Sequence, residues 1–197
     1  MMKTVIKLGL AGTAATLLLS ACAEGPTLAP AGAFTQGSQT VTLDRAWTAF
    51  AQNGQTKTRQ LVVDDPQLNS LYVSDGLTPA EPLFIGAKGD TKSDPAPHAK
   101  ANMSLSEQIE YVGVAVAELG YLKVETKNPK PVTVGDSKGV RFEFTATTAA
   151  GLNIHGLAQA VSKKNLNYYI VFISPEEHYY AAYEKNVIAV MDSEKLP

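Results

Sequence analysis

The strongest constraint on the fold comes from residues 166–174, which read LNYYIVFIS and are apolar almost without interruption. A run of this length and composition is typical of a central β-strand that is covered on both faces. Pro175 ends the run and is well placed to begin a helix. We therefore expect a sheet that carries packed structure on each side.

The strands that precede this run form a predicted antiparallel meander. Residues 139–148 (GVRFEFTATT) alternate apolar and polar side chains, which is the period of a strand with one buried face. Residues 152–162 form the next predicted strand, and short turns rich in Gly, Lys and Asn separate it from its neighbours.

Two helices are predicted to cover this sheet. Ser104 and Glu107 have the spacing of a capping box, and the helical apolar period that follows them ends at Gly120. The second helix is predicted over residues 176–191, with Tyr183 and Val187 on its apolar stripe. The fold class is accordingly α+β, an antiparallel meander sandwiched by helices.

Residues 1–21 have the three parts of a secretory signal peptide. Lys3 and Lys7 precede an uncharged apolar run at 8–19, and small residues follow. A membrane-spanning helix needs about 20 apolar residues, so this run is too short to be one. The segment is predicted to be a signal peptide that is removed.

The sequence Leu19-Ser20-Ala21-Cys22 resembles the lipobox of bacterial lipoproteins. The resemblance implies cleavage before Cys22 and a diacylglyceryl group on its thiol, which anchors the protein to a membrane of the cell envelope, facing the periplasm. Ala23 favours the outer membrane over the inner membrane. The alternative is an ordinary signal peptide followed by a chance cysteine. Cys22 is the chain's one cysteine, so an internal disulfide is excluded.

The mature chain is predicted to consist of a lipidated flexible tether, residues 22–39, and a single domain, residues 40–197. Gly, Pro and small residues dominate the tether, and such a composition favours disorder. Residues 86–103 are polar and rich in turn-forming residues. They are expected to form either a loop that contacts an anion or a partner, or a solvated and mobile insertion.

The charge of the chain argues against nucleic acid as a partner. Its formal net charge is −2, and no basic stripe is present to neutralise phosphates. The sequence also lacks a Gly-x-Ser-x-Gly nucleophile elbow, a P-loop and a His-Glu-x-x-His motif. We therefore expect no catalytic residue, no cofactor and no metal, although His155 and His178 remain a minor metal-site alternative if the fold brings them together with an acidic residue.

Tyrosines form the densest aromatic feature of the sequence. Tyr168 lies on the central strand, and Tyr179, Tyr180 and Tyr183 lie on the second predicted helix. Tyrosine combines apolar area with a polar tip, so this group is a candidate ligand or partner surface. The alternative is a helix-on-sheet core with hydroxyl groups at its rim.

The order of elements over residues 104–192, helix, meander and terminal helix, resembles the Mog1/PsbP-like fold. The resemblance implies a non-enzymatic binding or assembly factor, because proteins of that fold serve partners as different as a small GTPase and a photosystem. The expected function is therefore an anchored envelope lipoprotein that binds another envelope protein or assists assembly. The first alternative is a small-ligand carrier with a tyrosine-lined pocket, and the second is a hydrolytic enzyme.

Overall fold

The computed structural model describes residues 25–52, 55–86, 92–93 and 95–197. The predicted signal peptide and Cys22 lie outside the described residues. The elements are β1 (Thr27–Ala29), β2 (Gly32–Gln36), β3 (Gln39–Leu43), β4 (Trp47–Gln52), β5 (Gln55–Val62), β6 (Ser70–Ser74), α1 (Leu105–Glu118), β7 (Leu122–Val134), β8 (Ser137–Thr147), β9 (Asn153–Lys163), β10 (Leu166–Pro175) and α2 (Ala181–Asp192).

Eight of these strands form one antiparallel sheet in the order β1-β4-β5-β6-β10-β9-β8-β7. The predicted meander is present, because β8, β9 and β10 pair in sequence. The apolar strand β10 lies between β9 and β6 in the interior of the sheet, as its composition predicts. Strands β2 and β3 form a separate hairpin.

Helix α1 covers one face of the sheet. The predicted capping box is present, since the Ser104 side chain accepts from the Glu107 backbone and the Glu107 side chain accepts from Ser104. Val112 and Val116 of α1 are fully buried in a core with Phe142 and other side chains from β8, β9 and β10. Gly120 follows the helix with a φ of 92°, a conformation that glycine adopts without steric cost.

Helix α2 and the β2–β3 hairpin cover the other face. Val187 and Met191 of α2 pack in a second core with Phe172 of β10 and Trp47 of β4. Both cores draw on β10, whose alternate side chains enter one or the other. The prediction that this strand is covered on both faces is confirmed.

The tether prediction is wrong for the part of it that forms strands. β1 pairs with β4, and β2 pairs with β3, so residues 27–39 belong to the folded structure. Ala29 is one of the small residues that suggested disorder, but it is buried and packs in the core on the α2 side. Composition concealed this packing because a strand of three residues is too short to show a period.

The second predicted helix begins later than expected. Residues Glu176–Tyr180 form an irregular π-type turn, in which Glu177 is extended and His178 has a φ of 71°. Regular helix starts at Ala181. Between residues 95 and 103, the predicted loop is also partly packed, because Ala96 and Ala99 are buried.

Neither helix among the described residues is both long and apolar enough to cross a bilayer.

Candidate functional site

A crevice runs between α2 and the outer strands β7 and β8. It consists of two adjoining cavities of about 330 and 120 Å³, and Arg141 of β8 lines both of them. Alternation along β8 sends Phe142 and Phe144 into the core beneath α1 and sends Arg141 and Glu143 to the opposite face. The polar half of this strand therefore forms the floor of the crevice.

Three hydrogen bonds fix the Arg141 guanidinium. Gln159, directly opposite Arg141 on β9, accepts from Nε at 2.9 Å and from Nη2 at 2.7 Å through its Oε1 atom. Asp192, at the end of α2, accepts from Nη2 at 2.6 Å. The other terminal nitrogen, Nη1, bonds to no group of the described residues. The guanidinium of a residue that lines both cavities is thus held in place, with two N–H groups left over.

Glu194 forms the buried end of the same network. Its carboxylate accepts from Nε2 of Gln159 and from Nε2 of Gln39, each at 2.5 Å. Burial raises the pKa of the Glu194 carboxyl above its ordinary value, although the two amide donors and the charge of Arg141 counteract part of the effect. Oε1 of Gln39 is buried and has no hydrogen-bond partner among the described residues.

His155 of β9 lies next to the crevice, in contact with Glu143. Its ring stacks on that of Tyr180 with centroids 3.8 Å apart, and its Nε2 atom lies 3.2 Å from Oε2 of Glu143. His178 is exposed in the irregular turn and contacts the ring of Tyr179. The structure gives the two histidines different partners, and within its described part no group of three His, Cys, Asp or Glu side chains is arranged to hold a metal ion.

Acidic side chains outnumber basic ones along the walls of the crevice. Glu143, Glu184, Asp192 and Glu194 line the two cavities, against Arg141 and Lys130. The crevice therefore combines one fixed cationic donor with a surplus of carboxylates.

The four tyrosines that the sequence singled out do not form a common pocket. Tyr180 and Tyr183 both pack against Phe172, with centroids 6.2 and 6.4 Å apart, whereas Tyr168 is four residues away along β10. Tyr168 and Tyr180 are buried. Tyr179 and Tyr183 are partly exposed, and the Tyr183 hydroxyl donates to Asp64 at 2.7 Å.

The crevice residues were missed in the sequence, although one signal for them was present. The alternation of residues 139–148 places Arg141 and Glu143 opposite the apolar face, and a short turn to the next strand fixes their register against Gln159 and Leu157. The contributions of Gln39 and Glu194 come from distant segments and have no local pattern.

No protein-family model matches the sequence, and no curated protein is significantly similar to it. Among solved structures, cyanobacterial PsbP (CyanoP) from Synechocystis sp. PCC 6803 is similar with a TM-score of 0.56 and 12% identity, over 96% of this chain and 99% of that one. The Ran-binding protein Mog1p of Saccharomyces cerevisiae aligns with a TM-score of 0.49 and 10% identity, over 87% and 95% of the two chains. LpqN of Mycobacterium tuberculosis, involved in cell envelope biogenesis, aligns with a TM-score of 0.37 and 5% identity, over 88% and 85%.

The likeness to CyanoP, together with the sheet between two helical layers, shows that the fold is the Mog1/PsbP-like α+β sandwich. At 12% identity the likeness concerns the fold alone.

Proposed function

We propose that the protein is a bacterial envelope lipoprotein, anchored by lipid on Cys22, that binds another envelope protein through the crevice and catalyses no reaction. The observation that carries the binding role is the Arg141 side chain, which lines both cavities and whose guanidinium is held by Gln159 and Asp192. Arginine is enriched among the residues that dominate protein interfaces. A side chain that is already ordered loses less conformational entropy when a partner binds.

The charges of the crevice suggest the chemistry of the partner segment. Arg141 requires an acceptor, such as a carboxylate or a backbone carbonyl. The carboxylate of Glu184 on the wall of the smaller cavity favours a basic side chain nearby. We therefore expect a polar segment that presents an acceptor beside a lysine or arginine.

The non-catalytic part of the proposal rests on the existing partners of the titratable groups. Glu143 is engaged by His155 and by Asn128, whose amide donates to it at 3.2 Å. Glu194 is engaged by two glutamine amides. Groups held in this way support the floor of the crevice, which is consistent with a structural role.

A small-ligand carrier with a tyrosine-lined pocket has less support than a partner-binding protein. Tyr168 and Tyr180 are buried among protein groups, and Tyr168 lies four residues along β10 from Phe172, the ring that Tyr180 and Tyr183 contact. The larger cavity is lined by Arg141, Gln159 and the end of α2, without a tyrosine.

Anchoring is tested by the substitution Cys22→Ala in the producing bacterium. Cells are labelled with radioactive palmitate, and the protein is recovered and sized. The wild type should incorporate label and be processed, whereas the variant should remain as unlabelled precursor. Label that persists in the variant would contradict lipidation at Cys22. Wild-type label recovered with outer-membrane fractions supports the location that Ala23 suggests.

Partner binding is tested by site-specific photocrosslinking in intact cells. A photoreactive amino acid replaces Ile188, which lines the crevice, or Ala182, which is exposed on the same helix and lines neither cavity. We expect one discrete protein adduct from position 188 and none from position 182, and we expect Arg141→Gln to weaken the adduct. Equal adducts from both positions would contradict the assignment of the crevice.

A further inference from the structure

The first strand begins very close to the proposed site of lipidation. Four residues, 23–26, separate Cys22 from Thr27, the first residue of β1. Even fully extended, the five steps from Cys22 to Thr27 span at most about 18 Å. The anchor therefore leaves the folded structure little freedom to stand away from the membrane.

Strand β1 is an integral part of the sheet. Thr27, Leu28 and Ala29 pair with Ala49, Thr48 and Trp47 of β4. Ala29 is buried in the core on the α2 side, so the strand is held by side-chain packing as well as by the ladder. Because Thr27 belongs to the sheet, the segment that follows Cys22 attaches the lipid anchor to the β1 edge.

The outer surface of this edge is apolar and uncharged. Leu28 is 74% exposed, more than any other large hydrophobic residue in the described part of the chain. Alternation places Leu28 on the face opposite Ala29, beside its partner Thr48 and diagonal to Phe50. Neither β1 (TLA) nor β4 (WTAFAQ) contains a charged residue.

We propose that the β1 edge, comprising Leu28, Thr48 and Phe50, rests on the lipid surface that holds the anchor. The inference depends on the proposed lipidation of Cys22. A lipid surface fits because the short connection delivers this edge to it, and because an exposed leucine among uncharged neighbours suits the boundary between headgroups and acyl chains. The surface would act as a second, weak membrane contact beside the covalent lipid.

This orientation places the crevice away from the membrane. Strand β8 is six positions from β1 in the sheet order, which at about 4.8 Å per strand is roughly 30 Å. Arg141 of β8 is then presented to the aqueous side, where a protein partner has access to it. The membrane contact and the partner contact thus occupy opposite ends of one sheet.

The test uses full-length lipidated protein reconstituted in vesicles of phosphatidylethanolamine and phosphatidylglycerol. Since lipid occupies the thiol of the only cysteine, an introduced cysteine is the sole reactive thiol. The fluorophore NBD is attached to Leu28→Cys, to Thr48→Cys on the same face, or to Leu152→Cys, an exposed apolar control in the turn between β8 and β9. Nitroxide-labelled lipids then report which probe contacts the bilayer.

We expect the probes at positions 28 and 48 to shift to shorter emission wavelength and to be quenched by the nitroxide lipids, while the probe at position 152 behaves as in water. Protein that floats with the vesicles but gives an aqueous signal at positions 28 and 48 would overturn this inference and leave the anchoring intact. Protein that carries no lipid and fails to float would overturn both. Equal quenching at all three positions would also overturn the proposed orientation.

Discussion

The two edges of the eight-stranded sheet differ in length, charge and regularity. Edge strand β7 has thirteen residues, among them Lys123, Lys127 and Lys130, and carries Pro129 and Pro131 together with two irregularities in its pairing with β8. Edge strand β1 has three residues and no charge, and exposes Leu28. The two strands therefore differ in how they avoid pairing with another chain.

An exposed edge strand is a template on which another chain can add, and lysines, prolines and bulges are the devices that prevent this. Strand β7 uses all three, as expected of a long edge that faces water. Strand β1 has no lysine and no bulge, and it is protected by its short length and by Pro26 and Pro30 at its two ends. A long edge thus needs several such devices, whereas a short one needs few and can expose an apolar side chain such as Leu28.

The largest loss of folding stability is expected in the core between α2 and the middle of the sheet. Val187 of α2 is fully buried over β10, so Val187→Asp places an unpaired charge in the core. We expect a loss of about 3–5 kcal/mol in the free energy of unfolding, a large share of the total for such a domain. Urea denaturation measures the loss.

Lys185→Asp is the control for this substitution, because Lys185 is exposed on the same helix. Its unfolding midpoint should stay close to that of the wild type. If the two variants lose the same stability, the assigned buried face of α2 is wrong.

The next effect concerns β1 itself. Ala29 is buried and Leu28 is exposed, although they are neighbours in the chain. Ala29→Asp should cost about 2 kcal/mol, because a charge enters the core at a site near the sheet edge. Leu28→Asp should change stability by less than about 0.5 kcal/mol. Urea midpoints that are unchanged for Ala29→Asp would show that β1 does not pack.

Much of the fold follows from sequence because its central elements carry strong periods. The alternation at residues 139–148, the apolar run at 166–174 and the capping box before α1 each fix a local structure. Strands β1 and β2 were missed because they lie in a segment of Gly, Pro and small residues, whose composition favours disorder. The irregular turn at 176–180 was missed because its apolar spacing continues that of α2. The conformation of both segments is determined by tertiary packing, which has no local sequence pattern.

The site was less predictable than the fold. Tyrosine density does not separate core from surface, because an aromatic cluster reports apolar area and not exposure: Tyr168 and Tyr180 are buried, whereas Tyr179 and Tyr183 are partly exposed. The crevice depends on the register between Arg141 and Gln159 and on Glu194, which follows α2. Contacts between segments so distant in sequence leave no local signal.

A smaller effect, of opposite sign, is expected at the β7 end of the sheet. Burial raises the pKa of Glu194, so the folded state favours its protonated form. This contribution to stability is complete below the unfolded pKa and is lost as the pH rises through the folded pKa. Glu194→Gln removes the charge and allows the new amide to donate to Oε1 of Gln39, if the Gln39 amide turns over.

We therefore expect Glu194→Gln to gain about 1 kcal/mol at neutral pH. The gain should shrink towards acidic pH, where Glu194 of the wild type is itself protonated. Urea midpoints across this pH range provide the measurement. A Glu194→Gln variant that is less stable than the wild type at every pH would show that the buried Glu194 carboxylate stabilises the fold.

The smallest change in folding stability is expected from removing the prolines of edge strand β7. Replacing Pro129 and Pro131 by threonine restores two backbone N–H groups to the strand and should alter unfolding by less than about 0.5 kcal/mol. The consequence should appear as concentration-dependent self-association in sedimentation experiments, with Leu152→Thr as the control. A double variant that remains monomeric would show that the prolines do not protect this edge.

The central claim is that the β1 edge faces the membrane and the β7 edge faces away. Energy transfer from a donor on Leu28→Cys or on Lys127→Cys to acceptor-labelled lipid headgroups tests it in reconstituted lipidated protein. The two edges are seven strand spacings apart, roughly 34 Å. We predict strong transfer from position 28 and weak transfer from position 127. Equal transfer from the two positions, or stronger transfer from position 127, would contradict the account.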